Sequence, residues 1–94
     1  MIKNFKHKGL NKLFETGKSK LVDARLQQRI LIRLDVLEEA EVLADLKVPG
    51  FNFHPLTGFK PTRYTIHVNG PWCLTFTFDN GKAEDVDLEN YHQK

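Results

Sequence analysis

One cysteine, Cys73, is the only thiol in these 94 residues. A lone cysteine excludes an internal disulfide and fits a reducing cytoplasm. Neither a C-x2-C nor an H-x3-H spacing occurs to frame a zinc site. No apolar run approaches the roughly 18 residues that a membrane span needs, and the opening MIKNFKHKGL has no apolar core of a secretory signal. A glycine-rich phosphate loop is missing, with Gly58 standing alone, and low-complexity runs, linkers and internal repeats are missing too. These absences lead us to expect a single cytoplasmic domain, 1–94, with no cofactor, no metal and no membrane partner. Aromatic residues, by contrast, are plentiful: seven Phe, two Tyr and one Trp allow a real but small core.

Charge is unevenly placed along the chain. Residues 1–33 carry nine Lys and Arg against Glu15 and Asp23, a balance of +7, whereas residues 34–94 carry five basic and ten acidic residues, a balance of −5. The basic block is a footprint for a polyanion such as RNA, or else a solvated helix face. The acidic half argues against a protein that coats nucleic acid over its whole surface.

Hydrophobic periodicity divides the chain in two. A short extended signal, Ile2–Phe5, precedes a helical spacing of Leu10, Leu13 and Phe14 that ends at Gly17. A second helix is expected from Leu21 to Ala40, with Leu26, Ile30, Leu34 and Leu37 as its buried stripe, widened by Ile32 and Val36. Arg25, Arg29 and Arg33 recur every four residues on another face. One further helical turn spans Glu41–Leu46. From Phe51 the period changes to two, with a loop over Pro55–Thr62. Tyr64, Ile66 and Val68 form one strand; Trp72, Leu74, Phe76 and Phe78 form the next. Asn69-Gly70 marks a hairpin turn, lengthened or bulged by Pro71, and Asp79-Asn80-Gly81 turns into a last strand ending near Leu88. Helices first and antiparallel strands after imply an α+β domain with its helices on one face of the sheet. Strand alternation then turns Cys73, Thr75 and Thr77 to the opposite, polar and half-open face.

His54, His67, Cys73, Tyr91 and His92 are the residues here able to carry chemistry. A strand histidine is commonly a surface residue, and a terminal Tyr-His pair is commonly a frayed end. A cysteine nucleophile needs a base, an oxyanion hole and a lowered pKa, and a mid-strand position lacks the helix N-terminus that often supplies the last. Two histidines, a tyrosine and several cations suit metal-free RNA cleavage instead. There the 2′-OH is the nucleophile, histidines move both protons, and rings stack on the bases.

The segments MIKNFKHKGLNKLFETG, FHPLTGFK and YTIHVNGPWCLTFTFDNGKAEDVDLENYH, in this order, resemble the HigB toxins of the RelE superfamily. The resemblance is loose only over residues 18–50. It implies a small RelE-like α+β fold that cleaves mRNA in the ribosomal A site without metal. It also implies a HigA-like helix-turn-helix antitoxin as partner, with operator DNA reached only through that antitoxin. His54 of the HPL motif and His92 match catalytic positions, and Tyr91 matches a position that orients or stacks on substrate. Lys60 stands where a basic loop residue is usual. Arg63 is added on charge alone. Arg25, Arg29, Arg33, Lys8 and Lys12 are expected to meet rRNA phosphates.

Three departures bear on activity. The family usually reads NWRITF where this chain reads PWCLTF, so Cys73 occupies an arginine position beside the scissile phosphate. Thr57 replaces a common lysine, and Asn90 a common aspartate. Losing one well-placed electrostatic donor costs about 10²–10³ in kcat, and a neutral thiol cannot replace a bidentate guanidinium. Weakened cleavage is therefore expected. The alternative is a catalytically inactive homologue acting with its antitoxin as a co-repressor. A ribosome-independent RNase or general RNA binder is a third reading, disfavoured by the modest net charge.

Overall fold

In the computed structural model, which describes residues 1–90, two helices cover one face of a four-stranded antiparallel meander. Helix α1 spans Lys8–Thr16. His7 starts it by accepting from the Leu10 amide, and Gly17 ends it in the left-handed region, returning its amide to the Leu13 carbonyl. Helix α2 spans Gln27–Glu39. The strands are β1, His54–Leu56; β2, Arg63–Asn69; β3, Trp72–Asp79; and β4, Lys82–Asn90, in the order β1-β2-β3-β4. Ile2 and Phe5 bridge to Ala83 and Val86, so the N-terminal segment runs parallel along the outer edge of β4.

The expected stripe of α2 builds the core. Leu26, Ile30, Leu34 and Leu37 are buried against Ile66, Val68, Leu74, Phe76 and Val86 of the sheet. Each such side chain contributes roughly 1.5–3 kcal/mol on leaving water. Ile32, expected to widen the stripe, is exposed, because two residues past Ile30 the helix has turned by about 200°. The helix also starts later than expected. Ala24–Leu26 forms a 3-10 turn capped by Asp23, and the Gln27 side chain donates to the Ser19 and Val22 carbonyls. These bonds satisfy the approach to α2 without helical backbone. Leu43–Leu46 forms the further turn, also 3-10.

Arg33 departs from its expected place in a solvent-facing basic row. It is buried at 7% exposure, with Nε donating to the His67 carbonyl at 2.6 Å and Nη1 to the Arg29 carbonyl at 3.1 Å. Its guanidinium carbon lies 4.7 Å from the centre of the Phe51 ring. The side chain is a strut joining α2 to β2, and burial lowers its pKa.

Two irregularities set the strand faces. The β2–β3 hairpin closes with Asn69 opposite Trp72, so its turn residues are Gly70 and Pro71 rather than Asn69 and Gly70. Proline fixes φ at about −65°, so the positive φ falls on Gly70 alone, at 56°, as a type II′ turn requires. The pairing shifts between His67 and Asn69 to accommodate it. In β4 the register slips between Thr75 and Thr77, where Asp85 takes φ 51°. Asn4 clamps this bulge: its side-chain amide donates to Asp85 Oδ1 at 2.8 Å, and its Oδ1 accepts from the Asp85 amide at 3.1 Å.

Replacing Arg33 with Met orphans the His67 carbonyl and removes a charge-assisted hydrogen bond. Urea unfolding should register a loss of about 1.5–3 kcal/mol. A change within about 0.5 kcal/mol, ordinary for a surface site, would contradict the strut.

Candidate active site

The sheet face turned away from the helices gathers several of the candidate residues. Cross-strand pairing puts His54, Thr65, Thr75 and Asp87 in one row, and His67, Cys73 and Glu89 in the next. Arg63 shares this face from the start of β2, opposite Thr77. The face is less open than alternation alone implies. Cys73 is 6% exposed and Thr75 fully buried, because Arg63 and Glu89 both bond over Thr75 and Cys73 lies at the bottom of a cavity. That cavity holds about 250 Å3 and is lined by Asn52, His54, Thr65, His67, Gly70, Pro71 and Cys73.

His54 is exposed at its rim, with Nδ1 2.7 Å from the Asn52 carbonyl oxygen. A carbonyl only accepts, so Nδ1 carries the proton and the Nε2 lone pair of the neutral ring is free to take one. His67 has the opposite arrangement: its Nε2 donates to the Gly70 carbonyl at 3.0 Å, holding the hairpin turn. Thr65 is 2% exposed, and its hydroxyl, beside the Cys73 thiol, makes no hydrogen bond of ordinary geometry to the described residues. A buried polar atom left so is costly unless something from outside meets it.

Cys73 behaves as a neutral group. Burial pushes its thiol pKa up, the neighbouring Thr65 hydroxyl pulls it down, and the Glu89 carboxylate across the β3–β4 ladder pushes it up again. The sulfur lies 3.9 Å from the Pro71 carbonyl oxygen. This is the opposite of what a thiolate nucleophile needs.

A hydrogen-bonded line crosses three strands beside the cavity. Arg63 Nη2 donates to Thr75 Oγ1 at 3.1 Å and to the Asp85 carbonyl at 3.0 Å, and the Thr75 hydroxyl donates to Glu89 Oε2. Glu89 and Thr75 were not singled out from sequence, although their facing is encoded. Apolar Ala83, Val86 and Leu88 step by three and then by two, and the step of three is the mark of the bulge that turns Asp87 and Glu89 to this face.

The other expected residues are more scattered. Thr57 and Lys60 are exposed in the loop between β1 and β2. Asn90 is half-buried at the end of β4, opposite Trp72. Tyr91 and His92 lie outside the described residues. Arg25 and Arg29 are exposed, Arg25 paired to Asp23 at 2.9 Å, and Lys8 and Lys12 are exposed on α1. Arg33 alone of that group is withdrawn from solvent.

A small antiparallel sheet backed by two helices, with a histidine-bearing polar face, defines a RelE-like toxin domain. The chain belongs to the HigB-like toxin family, RelE-like toxins of type II toxin-antitoxin systems, and matches it over residues 3–92. It is 40% identical over 92 residues to the endoribonuclease HigB of Proteus vulgaris, covering 98% of this chain and 100% of the relative. The family resemblance read from the three sequence segments is thus borne out, as is the α+β fold. Family membership implies an antitoxin partner. Among the described residues no helix is long and apolar enough to cross a membrane.

Because burial raises the Cys73 pKa, its thiolate should form only above the ordinary cysteine range. Iodoacetamide should label Cys73 more slowly than a free thiol at pH 7, with the rate climbing at a pH above that of the free thiol. Fast labelling with a midpoint below the ordinary value would contradict a neutral thiol.

Proposed function

We propose that this chain is a toxin that cleaves mRNA in the ribosomal A site and so stops translation. The observation that carries the proposal is His54, exposed on the polar face with its Nδ1 proton committed to the Asn52 carbonyl, in a chain of the HigB-like family. Its Nε2 accepts the proton of the substrate 2′-OH as that oxygen attacks phosphorus. The P–O5′ bond breaks, and His92 gives a proton to the departing 5′-oxygen, leaving a 2′,3′-cyclic phosphate upstream. Tyr91 stacks on or orients the substrate. Asn90, Thr57 and Lys60 contact RNA around the scissile phosphate. This reading needs no metal and no cofactor, since the substrate supplies the nucleophile and side chains move both protons.

Arg25, Arg29, Lys8 and Lys12 supply rRNA phosphate contacts. Helix α2 packs on the side of the sheet away from His54, so mRNA and rRNA would meet different sides of the molecule. A HigA-like helix-turn-helix antitoxin neutralises the toxin in the cytoplasm and carries the pair to operator DNA. The inactive co-repressor reading has one observation in its favour, the neutral thiol at Cys73, at a position where the family resemblance implies an arginine. It keeps the fold and the antitoxin surface and drops the chemistry.

Cleavage in a programmed ribosome complex separates the readings. The unaltered chain is expected to yield product on ribosomes and none on free mRNA. His54→Ala should lower the rate about 10²–10⁴-fold. No product from the unaltered chain would favour the co-repressor, and cleavage of free mRNA would make it a ribosome-independent RNase.

A further inference from the structure

On the reading above, a cation must meet the phosphate, and position 73 holds a neutral thiol. We infer that Arg63 of β2 supplies this charge, so that the phosphate-binding cation has moved from β3 to the neighbouring strand. Arg63 lies on the same sheet face as His54 and Cys73. Its bond to Thr75 Oγ1 carries the guanidinium over β3, into the cross-strand row that runs from His54 through Thr65 to Thr75. Thr75 and Cys73 are two residues apart on one face, about 7 Å, so this charge and an arginine side chain at position 73 reach the same space.

The guanidinium is anchored and still has donors to offer. Both recorded bonds use Nη2, and arginine carries five N–H groups. Nε and Nη1 make no hydrogen bond to the described residues, and these are the groups for a phosphate oxygen. The anchor is specific to this sheet. The Asp85 carbonyl reaches Arg63 from the β4 bulge that Asn4 clamps, and the Thr75 hydroxyl is oriented by donating to Glu89. Glu89 brings a carboxylate to the same face. It faces Cys73 directly across the ladder, so an arginine restored at 73 shares its charge with Glu89 and replaces Arg63 only in part. On this inference the loss expected from Cys73 is offset by a cation held from β2, while the loss expected from Thr57 stands.

A double-mutant cycle in the programmed ribosome complex tests this, with ribosome affinity and thermal unfolding followed in parallel. Arg63→Gln, which keeps a donor for Thr75, should lower the cleavage rate about 10²–10³-fold while ribosome affinity holds. Arg63→Lys, which keeps the charge without the fork, should fall between the two. Cys73→Arg should restore about tenfold or more to the Arg63→Gln protein and much less to the unaltered chain, since coupled sites are non-additive. Cleavage by Arg63→Gln within about threefold of the unaltered chain, or an equal gain from Cys73→Arg in both backgrounds, would overturn the inference. If Arg63→Gln unfolds, full cleavage loss in the folded Arg63→Lys protein, unrelieved by Cys73→Arg, would overturn it as well. Absence of product from the unaltered chain is a different failure, striking the functional reading itself.

Discussion

At Asp85 the β4 strand holds one residue more than β3 holds opposite it, and the whole polar face beyond that point depends on the extra residue. A slip of one position exchanges the two faces of a strand. With the slip, Val86 and Leu88 point to the core, while Asp87 and Glu89 join Thr75 and Cys73. Without it, Leu88 would stand beside the cavity and Glu89 would be driven toward the helices. The bulge also turns a backbone carbonyl onto Arg63. Asp85 tolerates its left-handed conformation because Asn4 bonds both its amide and its carboxylate. The N-terminal segment, bridged to β4 at Ile2 and Phe5, is therefore part of what shapes the site.

The same sheet is braced from behind by Arg33. Its guanidinium meets the His67 carbonyl, whose residue in turn caps the β2–β3 turn through Gly70. The floor of the cavity, Cys73 and Thr65, is thus held between a rigid turn and a helix strut. Rigid support of this kind suits a reaction in which proton transfers and charge stabilisation depend on placement. What the fold provides is a fixed lone pair on His54, an anchored guanidinium on Arg63 and a buried Thr65 hydroxyl, all on one face.

Much of this was legible in the residues. The α2 stripe, the helix stop at Gly17, the Asp79-Asn80-Gly81 turn and the facing of Cys73 away from the core all follow from periodicity and turn chemistry. The burial of Arg33 is masked in the sequence because a four-residue repeat of arginines looks like one solvent face, whereas position 33 lies between Ile30, Leu34 and Leu37, on the buried side. The Asn69-Gly70 signal was off by one residue because Pro71 cannot adopt positive φ. The closing of the polar face over Cys73 was not legible, since it depends on side chains from Arg63 and Glu89 that are distant in sequence and brought together by the bulge. The charge of Arg63 is legible in the sequence, and its anchorage is not, for the same reason. Tyr91 and His92 rest on the family resemblance alone.

The central claim is that the polar face works by setting the substrate's own 2′-OH against the phosphate, with protein groups moving protons and holding charge. The most direct test is a programmed ribosome complex whose A-site codon carries a 2′-deoxy nucleotide at the scissile position. The account predicts that the unaltered chain cleaves the all-ribo message to a 2′,3′-cyclic phosphate and leaves the deoxy-substituted message intact. Cleavage of the deoxy-substituted message at the same position would contradict it.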